Sequence, residues 1–284
     1  MTISLIICTR NRAEPLRRCL AAIASIVHDG EWELVVVDNG STDSTPVVVC
    51  EFAASQNIRV VPVVQPLAGL SNARNAGVAA ARGDLLLFTD DDCYVAADLL
   101  DATRAAFVDP AIGFASGRVM LFDPDDARIT INESMTPLVF PARRFLATGL
   151  VKGANLAFRR TALNDIAASG PIFDPWLGAG ARFPAGEDSD AAQRAALAGW
   201  VGVYDPQMVV HHHHGRRDSD TTELFRSYDI GRGAFHAKLL TLAGGWRPAL
   251  RAWAGLPSRA RLRPALLGDE LRGAWGYWQT RRRS

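Results

Sequence analysis

A mostly parallel central β-sheet with helices on both faces, followed by a helical extension, is the α/β fold class this sequence predicts. Three observations carry the prediction. Short apolar runs alternate with amphipathic stretches over the first 110 residues. Each run is apolar throughout, as in strands buried on both faces. Polar clusters follow the runs directly, at the strand ends where open α/β sheets bind ligands. The length of 284 residues, 48% apolar and 21% charged, suits such a domain and excludes a disordered, collagen-like or coiled-coil chain.

The elements follow in order. Residues 4–8 form the first apolar run, with a loop at 9–14 and an amphipathic stretch at 15–27. Residues 33–37 form the second, leading into Asp38-Asn39-Gly40-Ser41-Thr42-Asp43, a helix near 44–56 and a strand at 58–64. Ser71 is placed to cap a helix reaching Arg82, with Gly83 just past its end. Residues 85–88 are a continuous apolar run ending in Thr89-Asp90-Asp91-Asp92. After Pro110 the pattern predicts strands at 112–122 and 151–158, and a helix opening at Gly186-Glu187-Asp188 and closing before Gly199. Two strand-like pieces follow, 200–204 and 208–210, the second running into His211-His212-His213-His214. From Glu223 onward the reading is helical, punctuated by Gly244-Gly245, Pro248, Pro257 and Pro264.

No apolar stretch is long enough for a transmembrane helix, and the start lacks the basic region of a signal peptide. Cys8, Cys19, Cys50 and Cys93 form no CxxC pair, which predicts reduced thiols in a cytosolic setting. The net charge of +1 conceals an asymmetry: residues 215–284 hold 14 Arg and Lys against 6 Asp and Glu, whereas residues 1–214 hold 17 against 24. Four of the seven Trp lie in that basic tail. Basic amphipathic helices edged with Trp suit an anionic membrane surface, the alternative being that they pack back on the body. Nucleic acid is not expected as a partner, because the acidic body repels phosphate and no recognition motif occurs.

Four clusters carry chemistry. Asp90, Asp91 and Asp92 repel one another unless solvated or bound to a cation, and hard oxygen ligands at a strand end suit Mg²⁺ or Mn²⁺ holding a diphosphate. Strand alternation puts Asp90 and Asp92 on one face and Asp91 on the other. The plainer reading is a polar loop before a helix. Asp38 can accept the imide N–H of a pyrimidine base; the rest of its motif also reads as a turn and helix cap. Glu187 and Asp188 open a helix whose dipole favours carboxylates, while each raises the pKa of the other. That suits a base for a hydroxyl, and equally suits plain capping. In an extended histidine run, His211 and His213 face one way and His212 and His214 the other, so that one can complete a metal site.

The stretches Ser4-Leu5-Ile6-Ile7-Cys8-Thr9-Arg10-Asn11-Arg12, Val35-Val36-Val37-Asp38-Asn39-Gly40-Ser41-Thr42-Asp43, Ala73-Arg74-Asn75-Ala76-Gly77, Asp90-Asp91-Asp92 and Gly186-Glu187-Asp188 together resemble the family-2 glycosyltransferases of the GT-A fold, in order and spacing from about residue 2 to residue 214. The resemblance implies a Rossmann-like catalytic domain over 1–215, with a nucleotide-binding half (1–110), an acceptor-side half (111–215) and a basic helical extension over 216–284. It implies inverting transfer from a nucleotide-sugar, a UDP- or dTDP-sugar, to a glycan or lipid-linked acceptor, assisted by Mg²⁺ or Mn²⁺. Thr9, Arg10 and Asp38 are then nucleotide contacts and Arg74 lies near the base or diphosphate. Asp90 contacts ribose or the metal shell, and Asp91 beside it counts among the nucleotide-sugar-binding residues. Asp92 is the carboxylate metal ligand and His211 the late histidine ligand, with His213 as the other possibility. Asp188 is the base, with Glu187 beside it. Gly153-Ala154-Asn155-Leu156-Ala157-Phe158 matches an acceptor-side motif. No QxxRW motif follows, which favours single-sugar transfer over polymer synthesis. The resemblance places the chain in the cytoplasm, with the tail as its route to the inner membrane face. Two alternatives compete. A sugar-phosphate nucleotidyltransferase needs a Gly-rich loop after the first strand, and Thr9-Arg10-Asn11-Arg12-Ala13-Glu14 has none. A non-catalytic nucleotide-sugar-binding module is disfavoured by intact Asp92 and Asp188.

Overall fold

In the computed structural model, which describes residues 1–282 apart from the side chains of Asp220, Ala260 and Leu262, the apolar runs assemble into one mixed sheet. Arg283, the last of the tail's arginine triplet, lies outside the described residues. Strands β1 (Ile3–Thr9), β2 (Trp32–Asp38), β3 (Arg59–Val64) and β4 (Leu85–Asp90) are parallel in the order β3-β2-β1-β4. Beyond β4 the sheet continues through β8 (Leu156–Arg159), β6 (Ile112–Leu121), β9 (Val201–His212) and β5 (Cys93–Val95), with β7 (Leu138–Phe140) also on β9. Here the pairing turns antiparallel except between β6 and β9.

Period-two alternation explains why the strands are apolar throughout. Ile3, Leu5 and Ile7 of β1 join Leu34 and Val36 of β2 and Leu85 and Leu87 of β4 in one core layer. Ile6, Val35, Val37, Leu86 and Phe88 point into the other. Helices α1 (Ala13–Ile23), α2 (Thr45–Ser55) and α4 (Leu99–Ala106) cover the first layer through Leu16, Leu20, Val48 and Leu99. Helices α3 (Leu70–Ala80), α5 (Arg160–Ala167) and α6 (Glu187–Ala198) cover the second through Ala73, Leu163, Ile166 and Ala192. Each such buried Val, Leu or Ile contributes roughly 1.5–3 kcal/mol relative to exposure.

Three local expectations change. Ser71 is not a cap: α3 starts from Gly69, and the Ser71 hydroxyl donates to the Leu177 carbonyl from inside the helix. Gly83 is not a helix terminator; α3 ends at Ala81 in extended backbone, and the Gly83 amide donates to Ser4 Oγ. The strand expected over 151–158 begins as a 3₁₀ turn at Gly153–Asn155, so only Leu156–Arg159 pairs. Conversely, the two pieces expected before the histidines are one strand, β9. Its register to β6 jumps between Gly117↔Asp205 and Arg118↔Val209, letting Pro206, which has no N–H to donate, bulge from the ladder.

The basic segment is helical, as expected: α7 (Thr221–Leu239), α8 (Trp246–Ala254), α9 (Leu256–Leu262) and α10 (Ala265–Arg281). Helix α7 packs along α10 and under α8. Among the described residues no helix is long and apolar enough to cross a membrane.

Candidate active site

The parallel strands deliver their polar ends to one rim, because Thr9 pairs in register with Asp38 and Cys8 with Asp90. A cavity of about 590 Å³ opens there, lined by the ends of β1 and β4, the start of α6, the 148–154 segment and the inner face of α7.

The aspartate triplet divides as strand alternation predicts. Asp91 turns to the β1 side, taking the Thr9 hydroxyl at 2.6 Å and Arg12 Nε at 2.7 Å. Burial pushes its carboxyl up to about 6, against the pull of Arg12 and Thr9. Asp90 and Asp92 come together with His212, and their ligand-type atoms, with Cys93 Sγ, lie within 4.8 Å of one another. Burial also raises Asp90, with Arg74 opposing. For Asp92 the burial penalty is outweighed by His212 and Arg12, so its carboxyl is lowered. Arg12 Nη2 binds Asp92 Oδ2 at 2.6 Å.

The residues present fit a divalent cation. The Thr130 hydroxyl donates to the Ile129 carbonyl, so at 3.1 Å it accepts from His212 Nδ1. That assigns the tautomer and points the Nε2 lone pair at Asp92 Oδ1, 3.1 Å away. Asp92 Oδ1 is buried and receives no hydrogen bond. Two facing lone pairs need a positive charge between them. A proton supplies it in the bare protein: burial disfavours the imidazolium, but Asp92 outweighs burial and raises His212. A metal ion meets the same need.

The histidine facing the cluster is therefore His212, whereas His211 and His213 were expected. Cys93 pairs with His212 and Tyr94 with His211, so the even-numbered side chains point inward. His213 binds the Tyr94 hydroxyl at 3.0 Å and His214 the Ala127 carbonyl. The alternation was right and the choice of face was not, since nothing in four identical residues marks the inner side.

On the same cavity, α6 begins at Gly186 in a left-handed conformation (φ +98°) and presents two carboxylates. Glu187 is buried and binds Arg74 Nη1 at 2.9 Å, and Arg74 lies 3.6 Å from Asp90. Burial, then the adjacent Asp188, pushes the Glu187 carboxyl up to about 7 against Arg74. Asp188 faces the cavity; its Oδ2 accepts the Gly153 amide at 3.1 Å and its Oδ1 the Ser189 amide at 2.6 Å. A Cβ at residue 153 would sit 2.5 Å from Nη2 of Arg74, which is buried and paired with Glu187, so glycine eases the passage of this backbone between Arg74 and Asp188.

Arg10 is exposed on the rim. Asp38 sits behind it, its Oδ1 accepting the Ser41 amide, and Asn39 lines the cavity in its place. Asn39 also holds the 65–69 turn through Gln65, Leu67 and Gly69. Sequence reasoning missed several wall residues. Arg12 lay within the first motif and Arg216 directly after the histidines. Leu224, Tyr228 and Arg232 come from α7, in the segment read as an extension, and carry no sequence signal. Burial pushes the Tyr228 hydroxyl up to about 12.

A family model described as glycosyl transferase family 2 matches residues 4–166. Glycosyltransferase AglE of Haloferax volcanii is 34% identical over 92 residues, 32% of this chain and 30% of that protein. An N-acetylglucosaminyltransferase of Rhizobium meliloti is 26% identical over 206 residues, 69% of this chain and 47% of that protein. This chain thus spans less than half the length of either. Among solved structures, mannosyltransferase PcManGT from Pyrobaculum calidifontis, in complex with GDP-Man and Mn²⁺, superposes with a TM-score of 0.65 at 23% identity, covering 95% of this chain and 73% of that one. TarS 1-349 of S. aureus in complex with UDP-GlcNAc gives 0.63 at 19%, covering 87% and 69%. Identities this low report the GT-A fold alone. The family match spans more than half of the chain, from β1 through the aspartate triplet to α5, and the chain belongs to glycosyl transferase family 2.

Proposed function

We propose that the protein transfers a single sugar from a nucleotide-diphosphate sugar to an acceptor hydroxyl, with inversion at the anomeric carbon and Asp188 as base. The observation that carries this reading is a single cavity lined by the Asp90, Asp92 and His212 cluster and by Asp188. Asp90, Asp92 and His212 would hold Mg²⁺ or Mn²⁺, which supplies positive charge against the departing diphosphate. Arg10 and Arg216 stand on the same side for its oxygens. Asp38 orders the turn behind Asn39, which lines the nucleotide end; Thr9 and Arg74 shape that end through Asp91 and Asp90. With backbone amides on both oxygens, Asp188 is held in place, and a remaining lone pair takes the acceptor proton as the hydroxyl attacks opposite the diphosphate. One base and a direct displacement give inversion without a covalent intermediate. The UDP-GlcNAc and GDP-Man named with the structural neighbours support a nucleotide-sugar donor. A thermal-shift panel of nucleoside diphosphates and nucleotide-sugars, with and without Mn²⁺, tests it. One donor should give a large metal-dependent rise, and a flat panel would remove the reading.

A second observation favours a lipid-linked acceptor at an anionic membrane surface. Trp253, Tyr277 and Trp278 pack inward, but Trp246 (55% exposed), Leu250 (61%), Leu267, Leu271 and Trp275 (62%) stay outside. Exposed Arg247, Arg251, Arg272, Arg281 and Arg282 accompany them. Of the acids of α10, Glu270 is buried and pairs with Arg232 and Arg259, while Asp269 pairs with Arg226 and with Arg272, offsetting that one charge.

A further inference from the structure

The chain uses arginine for all but two of its 31 basic residues; the exceptions are Lys152 and Lys238. Lys238 is committed to structure, its Nζ lying 2.8 Å from Asp174 and 2.7 Å from Asp190. Lys152 is different. It lines the cavity next to Gly153, and its own amide is fixed by Ser116 Oγ at 3.2 Å. Among the described residues its Nζ has no hydrogen bond and no ion pair, although burial already strains its charge and Asp188 is the carboxylate that supports it. Asp188 forms no ion pair with it, its two oxygens accepting the Gly153 and Ser189 amides. A half-buried ammonium without a protein counter-charge is left to water, which an oxyanion entering the cavity would replace with a charged partner. Lysine offers three donors on a compact head that meets an oxyanion from any direction.

We propose that Lys152 receives an anionic group of the acceptor, a phosphate or a carboxylate, beside the hydroxyl that Asp188 deprotonates. The inference rests on the sugar-transfer reading for the word acceptor; the anion site itself does not. The carboxylate that acts on its charge is Asp188, whereas the donor diphosphate belongs with Asp90, Asp92 and Arg216.

Pyridoxal phosphate, an aldehyde carrying a phosphate, reads the site without a known acceptor. The lysine amine adds to the aldehyde, water leaves, and borohydride reduces the imine to a stable amine located by peptide mass. The full chain is treated with Mn²⁺ and the nucleoside diphosphate that stabilises it most, so that the donor end is filled. Lys152 should be labelled in preference to Lys238, and Lys152→Met should lose the label. Methyl phosphate or glucuronate should slow labelling at least about tenfold more than neutral glucose at equal concentration, the scale of one charge-assisted hydrogen bond. Whichever anion protects better identifies the phosphate or carboxylate source. An unlabelled Lys152, or equal protection by neutral and anionic sugars, would overturn the proposal. Lys152→Met should keep the metal-dependent nucleotide shift. If the wild type lacks that shift, the transfer reading fails while the labelling run without nucleotide still reports on Lys152.

Discussion

Glu187 is closed in against Arg74, whereas Asp188, one residue on, faces the cavity with a backbone amide on each oxygen. Their variants should therefore separate. Asp188→Asn keeps the side chain's shape and one of the two accepted amide bonds, so donor affinity should hold while transfer falls by at least about a hundredfold, the scale of a lost positioned base. An equal collapse of donor affinity would move Asp188 into the nucleotide site. Glu187 makes a pH prediction. Its carboxyl rises from 4.5 to about 7 on folding, so the folded chain binds that proton more tightly than the unfolded one. The resulting stabilisation is complete below about 4.5 and is lost as pH rises through about 7. Thermal unfolding of the metal-free protein should show Glu187→Gln flattening the fall in melting temperature across that window; parallel curves would refute the assignment.

At the level of elements, two of the three glycines of α10, Gly268 and Gly273, look alike in sequence and differ in place. A Cβ at Gly273 would lie 1.9 Å from the Ile230 carbonyl of α7, while at Gly268 it would meet nothing within 4 Å. Gly273→Ala should cost about 1–3 kcal/mol by forcing the helices apart, and Gly268→Ala should gain up to about 1 kcal/mol from helix propensity. Denaturant melts of the two variants give both values, and equal effects would mean α10 does not seat on α7 this way. The same contrast shows what the sequence makes legible. β1, β2 and β4 were readable because burial on both faces leaves a continuous apolar signature ending in polar residues. β9 was split because Asp205-Pro206-Gln207 looks like a loop when it is a bulge within a ladder. His212 could not be chosen from its neighbours because only pairing to Cys93 sets which face is inside.

Over the whole molecule, the charge asymmetry between body and tail was visible in composition, but the tail's place as a cavity wall was not. Tyr228 and Arg232 reach the site only through the packing of α7 on α10. A chain ending at Ser219 would remove that wall and uncover Leu177 and Phe183, which pack against Ala234 and Tyr277. Surface substitutions therefore test the membrane reading more cleanly. The wild type should sediment with anionic vesicles at low salt, and Leu271→Gln with Trp275→Gln should reduce binding without lowering the melting temperature. If neither protein sediments, the outer face of α10 is not a membrane contact. The central claim, a metal-assisted nucleotide-sugar site at the strand ends, is tested most directly by titrating the best-stabilising nucleotide-sugar into wild type and Asp92→Asn, with and without Mn²⁺. Binding should require Mn²⁺ in the wild type and disappear in Asp92→Asn while cooperative unfolding is retained. Mn²⁺-dependent binding of equal strength in Asp92→Asn would contradict it.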